Sequence, residues 1–269
     1  MSDFTPKVVR TSHLLEFKAS GHKFACLTSY DSITASIFDE AGIEVILVGD
    51  SAADNSLGYK TTLPITLDEM ISFGRAVAGA CKRSLVVVDL PFGSYETGAA
   101  DALASAIRVM KETGATAVKL EGGERSAAAI RAITEAGIPV MAHIGFTPQS
   151  VHNLGGFKVQ GRGDAAEQVM ADAKAVQDAG AFSVVLELVP AEVATEATKA
   201  LSIPTIGIGG GSGTDGQILV WTDFAGLSAH KPRKFVRQYA DMRNTLLNAA
   251  KAYREDVATG SFPNEEERF

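Results

Sequence analysis

Short aliphatic and β-branched runs alternate with Ala-rich stretches along almost the whole chain. The runs predict strands at 24–30, 45–50, 85–90, 117–121, 139–144, 183–189 and 204–208, with a weaker eighth at 224–227. Between them, 32–41, 67–81, 99–113, 125–136, 165–179 and 191–201 carry apolar residues at three- and four-residue spacing, the period of a helix with one buried face. Four joints repeat one another: Glu40-Ala-Gly-Ile-Glu-Val, Glu112-Thr-Gly-Ala-Thr-Ala-Val, Glu135-Ala-Gly-Ile-Pro-Val and Asp178-Ala-Gly-Ala-Phe-Ser-Val. Each has a glycine where a helix closes in the left-handed conformation, and a strand-like run follows.

Strand followed by helix, repeated, implies a parallel sheet with right-handed crossovers. Eight such units in 269 residues match the (β/α)8 TIM barrel of the α/β class, which needs about 250. An open doubly wound sheet is the competing arrangement, and eight units in this length favour closure. The expected organisation is one barrel domain over 1–269. Residues 1–21 form an N-terminal cap, in which Thr11 caps a short helix closed by Gly21 and placed to plug the barrel bottom. A long final helix is expected from 231 to about 257, with a frayed tail over 258–269.

Composition narrows the classes. The longest apolar runs, such as 45–48 and 85–88, fall far short of the ~20 residues that span a bilayer, so no membrane partner is expected. Residues 1–10 mix Asp3, Pro6, Lys7 and Arg10 without an apolar block behind them, which predicts no secretory signal and a cytoplasmic location. Cys26 and Cys81, without Cys or His at metal spacing, read as two reduced thiols. A net charge of −7 with no Lys/Arg stripe argues against nucleic acid as a partner.

Strands of a closed parallel barrel have no water-facing side, so a charge on one needs a reason. Alternation puts Asp50 with Val48, Asp89 with Val87, Lys119 with Glu121, His143 with Met141 and Glu187 with Val185. Five strands thus converge on the carboxyl-end mouth, where barrels of this type do their chemistry. Singly, each residue has a plain alternative: Asp50 or Asp89 as a turn or helix cap, Lys119 and Glu121 as a structural ion pair, His143 as a hydrogen-bonded core residue. Together, Asp50, Asp89 and Glu121 are hard oxygen ligands that suit Mg2+ better than zinc. Lys119 and His143 add positive charge for an anion, and Glu187, on another strand, is left as a proton-transfer group.

Two loops add to the mouth. The stretch Gly207-Ile-Gly-Gly-Gly-Ser-Gly-Thr-Asp-Gly216 fits a dinucleotide fingerprint only literally, because that motif belongs after the first strand. A phosphate cradle, or glycines that let a ligand or backbone come close, are the other readings. The polar, Gly-rich connection from His143 to Arg162 is long enough to be a lid, and 51–63 is placed to fold over the mouth or to serve oligomer contacts.

These residues resemble the ketopantoate hydroxymethyltransferase family over nearly the whole chain. The resemblance is carried by Leu47-Val-Gly-Asp-Ser51, Thr62-Leu-Pro-Ile-Thr66, Asp89-Leu-Pro-Phe92, Val118-Lys-Leu-Glu-Gly-Gly123, Gly145-Phe-Thr-Pro-Gln-Ser-Val151, Gly155-Gly-Phe-Lys-Val-Gln-Gly-Arg162, Leu186-Glu-Leu-Val-Pro190 and Thr214-Asp-Gly-Gln217. It implies a transferase that moves a hydroxymethyl group from 5,10-methylenetetrahydrofolate to the 2-oxo acid 3-methyl-2-oxobutanoate, through a metal-stabilised enolate, giving ketopantoate for pantothenate synthesis. It also implies Mg2+ and a homo-oligomer, usually a decamer. By the same resemblance Asp50 and Asp89 are metal ligands, with Glu121 ligating directly or through water. Ser51, Asp89 and Lys119 contact the 2-oxo acid, His143 is a further site residue, and Glu187 accepts the proton. The chain departs from the family pattern at Ser212, where Asn is expected, and at Lys60, where an acidic residue is commoner. The competing readings are a lyase or mutase of the phosphoenolpyruvate mutase and isocitrate lyase group, and a non-catalytic 2-oxo acid sensor.

Overall fold

Eight parallel strands, each hydrogen-bonded to its neighbours in chain order, close into a barrel in the computed structural model, which describes residues 6–228 and 231–269. They are β1 (Phe24–Thr28), β2 (Val45–Val48), β3 (Leu85–Asp89), β4 (Ala117–Glu121), β5 (Val140–Gly145), β6 (Ser183–Glu187), β7 (Thr205–Ile208) and β8 (Gly216–Leu219). The first seven lie where the hydrophobic runs predict them. Where β1, β2 and β6 stop short of their runs, they do so at the carboxyl end, because residues such as Gly49, Asp50 and Leu188 already belong to the mouth loops.

Interior packing follows from the sequence pattern. Val45, Val48, Leu85, Val87, Val118, Leu120, Val140, Val184 and Ile206 are all fully buried, as strands covered on both faces must be. Helices Ser32–Glu40, Leu67–Ala80, Ala99–Thr113, Ala127–Glu135, Ala165–Asp178 and Ala191–Ala200 fill the crossovers. The repeated joints behave as their glycines demand: Gly42, Gly114, Gly137 and Gly180 have φ of 87°, 79°, 85° and 96°.

The eighth strand corrects the sequence reading. It runs over Gly216–Leu219, and Trp221–Phe224 is helical, so 224–227 is no strand. No helix separates β7 from β8. Residues 209–215 return alone to the amino end of the barrel, and Gly216-Gln217 therefore read as loop. The glycines serve that return: a Cβ on Gly211 would sit 2.6 Å from the Ala191 Cβ, and one on Gly213 2.0 Å from the Thr195 hydroxyl. Close backbone approach to helix Ala191–Ala200 accounts for the glycine run.

At the amino ends of the strands lies helix Thr11–Ser20, burying Leu14 and Phe17, with the Phe17 ring 6.1 Å from that of Phe24. Lys18 Nζ donates to Asp215 Oδ2 at 2.9 Å and to the Thr198 carbonyl at 2.7 Å, tying the helix to the barrel bottom. Its cap is Arg10 rather than Thr11. The Arg10 N–H donates to His13 Nδ1 at 3.1 Å, and Thr11 is the first helical residue. The part of the expected cap over 1–5 lies outside the described residues.

The chain divides into two compact units, residues up to Leu219 with the whole barrel and Val220–Phe269. In the second, the long helix is Met242–Thr259, shorter at its start than expected because 231–241 contains Pro232 and Asp241. Asp241 caps it, accepting from Asn244 N–H at 3.4 Å, and Gly260 closes it at φ 73°. Beyond it, the Ser261 N–H donates to the Asp256 carbonyl at 2.9 Å and the Tyr253 and Phe262 rings meet at 5.5 Å.

Gly216 starts β8 against the Phe24 ring, whose Cε2 would lie 2.5 Å from an added Cβ. Gly216→Ala is therefore expected to lower stability by about 1–3 kcal/mol, read as a Tm lower by roughly 5 °C in thermal denaturation. An unchanged Tm would show that the ring does not wedge this joint.

Candidate active site

Strand register brings the charged residues together. Asp89 pairs with Lys119 across β3 and β4, Glu121 with His143 across β4 and β5, and Gly145 with Glu187 across β5 and β6. Asp50 follows β2, and its N–H donates to Asp89 Oδ2 at 3.1 Å. Asp89 Oδ1 accepts from Lys119 Nζ at 2.6 Å, and the same ammonium lies 3.4 Å from His143 Nδ1. His143 then faces two carboxylates, with Nδ1 3.5 Å from Glu121 Oε1 and Nε2 3.2 Å from Glu187 Oε2. The second contact has ion-pair distance but is not a hydrogen bond. All of these side chains are buried except that of Glu187, which is 12% exposed. Ser51, also half-buried, opens helix Ala52–Asn55 and shares a 2.7 Å hydrogen bond with the Tyr30 hydroxyl.

Backbone geometry fixes where Glu187 sits. Gly145 ends β5 at φ 88°, and a Cβ there would lie 2.4 Å from the Glu187 carbonyl, so only glycine lets β5 leave the barrel beside β6. Leu188, immediately after Glu187, holds φ 48°, an uncommon conformation for a non-glycine residue and of a kind that collects at functional sites.

Electrostatics follow from burial and crowding. Burial, with Glu121 nearby, pushes the Asp50 carboxyl from 3.8 up to about 6. Asp89 also rises to about 6, burial and Asp50 outweighing the Lys119 ammonium. Burial and Lys119 oppose the charged form of His143, but Glu121 and Glu187 prevail and raise it to about 9. The Lys119 ammonium is likewise held charged, because Asp89, Glu121 and Asp50 overcome its burial.

With all groups ionised, four carboxylates (Asp50, Asp89, Glu121, Glu187) face two cations (Lys119, His143), an excess of two negative charges. The buried Glu121 Oε1 has no hydrogen-bond donor. Among the described residues no three His, Cys, Asp or Glu side chains close a cage around a cation. A hard divalent ion that keeps water or substrate oxygens in its shell fits such a one-sided donor set.

Comparison with known proteins decides the family. The ketopantoate hydroxymethyltransferase profile matches residues 8–265. The chain belongs to the ketopantoate hydroxymethyltransferase family. It is 61% identical over 265 residues to the 3-methyl-2-oxobutanoate hydroxymethyltransferase of Leifsonia xyli subsp. xyli, covering 98% of this chain and 96% of that one. The protein of the same name from Corynebacterium efficiens is 59% identical over the full length of both chains. Among solved structures, a phosphonopyruvate hydrolase aligns over 97% of this chain and 93% of its own, at a TM-score of 0.62 and 13% identity. A phosphoenolpyruvate phosphomutase from Streptomyces platensis subsp. rosaceus aligns over 93% and 88%, at 0.61 and 14%. At such identities the likeness is one of fold. The chain is thus an enzyme, a hydroxymethyltransferase of this family.

In this family member the sequence reading missed two site residues. Gln149, on the connection after β5, is buried, and its Nε2 donates to Asp50 Oδ2 at 2.9 Å. Tyr95, after β3, is buried as well, and its hydroxyl donates to Gln149 Oε1 at 2.5 Å. Gln149 lies in a motif block that carries the resemblance, so a signal was present; for Tyr95 there was only an aromatic in the loop after Asp89. Lys60 and Ser212 are exposed, and nothing in the structure explains their departure from the family pattern. A cavity of about 390 Å³, lined by Gly123, Asn153, Gln160, Gln168 and Asp172 among others, adjoins the ends of β4 and β5 without including any charged site residue.

The raised Asp50 pKa has a stability consequence in metal-free protein. Its folded-state value lies above the unfolded one, so its contribution is fully present below about pH 4 and is lost as pH rises through about 6. Asp50→Asn removes that loss. In chelator-treated protein it should raise stability by about 3 kcal/mol at pH 8 and by much less at pH 4.5, measured by thermal denaturation. Equal effects at both pH values would contradict the crowding of Asp50.

Proposed function

We propose that this family member transfers a hydroxymethyl group from 5,10-methylenetetrahydrofolate to 3-methyl-2-oxobutanoate, giving 2-dehydropantoate (ketopantoate) for pantothenate and coenzyme A synthesis in the cytoplasm. Relatives of that name at 59–63% identity over nearly the whole chain support the substrate. Free thiols at Cys26 and Cys81 agree with a reducing compartment. The observation that carries the chemistry is the ordered chain of contacts from Asp50 to Glu187 across the mouth.

Mg2+ or a similar cation fits the hard oxygen donors: Asp50 and Asp89 would hold it, with Glu121 directly or through water. When bound, it supplies Lewis-acid stabilisation of the negative charge that a 2-oxo acid develops on losing a proton. Lys119, kept charged, and Ser51 orient the substrate carboxylate and keto group. Glu187 accepts the proton as the C3–H bond breaks, leaving an enolate. The C3 carbon then bonds to the folate's one-carbon unit, water supplies the hydroxyl oxygen as the two bonds from that carbon to folate nitrogens break, and the proton from Glu187 and one from water end on the nitrogens of the departing tetrahydrofolate. His143, an imidazolium between Glu121 and Glu187, steadies the carboxylate of Glu187 between proton acceptance and release.

A homo-oligomer belongs to the same reading, a decamer by family resemblance. Met242, Leu246, Tyr253 and Val257 fall on one side of helix Met242–Thr259 and are exposed, an apolar stripe suited to another copy of the chain.

Proton NMR of 3-methyl-2-oxobutanoate in D2O with Mg2+ and without folate isolates the first step. Glu187→Gln should slow C3 deuterium exchange by about 10²- to 10⁴-fold while substrate binding stays within a few-fold. Exchange at the wild-type rate would remove Glu187 from this role.

A further inference from the structure

Gln149 belongs to the long connection after β5, in the turn Pro148–Ser150, yet it is only 6% exposed and every polar atom of its side chain is engaged. Its Nε2 donates to Asp50 Oδ2 at 2.9 Å and to the Leu90 carbonyl at 3.1 Å. Its Oε1 accepts from the Tyr95 hydroxyl at 2.5 Å, and its backbone N–H donates to Glu121 Oε2 at 3.0 Å. The Tyr95 hydroxyl in turn accepts from the Glu121 N–H at 3.2 Å.

This network permits one orientation of the amide. A backbone carbonyl only accepts, so the NH2 group must face Leu90, and the oxygen is left for the Tyr95 hydroxyl. One residue of the loop thereby occupies one oxygen of Asp50 and one of Glu121 without adding charge. Glu121 Oε1, the oxygen that Gln149 leaves alone, accepts no hydrogen bond and has His143 Nδ1 at 3.5 Å.

We infer that Gln149 is a positioning residue for the cation site: from the loop it holds one oxygen each of Asp50 and Glu121, so that each carboxylate offers its other oxygen to the cation. The inference rests on the cation reading of the proposed function. It makes the order of the 146–162 loop part of cation affinity, because that loop carries the residue that aims the ligands. Tyr95 acts through Gln149 by fixing which end of the amide faces Asp50.

Isothermal titration with Mg2+, without substrate, compares wild type, Gln149→Ala and Tyr95→Phe. Gln149→Ala should weaken binding about 10- to 100-fold, the range found when a partner of a metal ligand is removed. Tyr95→Phe should weaken it in the same direction by less. C3 exchange by Gln149→Ala should return toward the wild-type rate at saturating Mg2+, a recovery that a merely structural lesion would not show. If Gln149→Ala does not fold, Tyr95→Phe, which retains the ring, decides the question. Wild-type binding with both variants equal to it overturns the role of Gln149 and leaves the cation reading standing. A wild-type chain that binds no Mg2+ overturns the cation reading, and this inference with it.

Discussion

Buried negative charge that the protein does not fully neutralise is the constraint on which the rest of the structure depends. Four carboxylates gather at the mouth of a packed barrel beside one ammonium and one imidazole. Taking a charge out of water costs several kcal/mol even after relaxation, so the cluster would weaken the fold unless something offset it. Lys119 and His143 offset part. The remaining excess is the charge that the proposed cation would balance, while the aliphatic interior below the mouth supplies the stability of the fold.

The scaffold holds that cluster in register rather than by local folding. Parallel pairing sets Asp89 beside Lys119 and Glu121 beside His143, and a slip of one residue in any of these strands would turn its charge to the other face. The closed ring removes free edges where such a slip could start. Gly145 and Leu188 then release the chain sharply at the ends of β5 and β6, so that Glu187 stays next to His143 while the loops depart. A precise mouth thus depends on ladder geometry throughout the barrel.

Much of this was legible in the sequence because the two signals involved are strong. Glycines at 42, 114, 137 and 180 mark helix ends whose left-handed geometry few other residues adopt. A charge closing an aliphatic strand, as Asp89 and Glu121 do, stands out against the cost of burial. The eighth strand was hidden for the opposite reason: Gly216 and Gln217 carry no aliphatic pattern, and the missing helix before them breaks the repeat. Tyr95 was invisible as a site residue because an uncharged polar side chain on a loop has no periodicity to betray it, and Gln149 stood out only as part of a block that carries the family likeness. Their role arises only when the loops after β3 and β5 meet. The glycine run after β7 left a phosphate cradle and close approach of a ligand or backbone as open readings, and the structure shows close backbone approach to a neighbouring helix.

Anomalous diffraction from crystals grown with Mn2+ at neutral pH tests most directly whether the excess negative charge is a cation site. The expected result is a single strong peak at the mouth within about 2.5 Å of Asp50 and Asp89 oxygens, with Glu121 beside it directly or through water. A mouth with no peak, or with Mn2+ bound only at residues other than these, would contradict it.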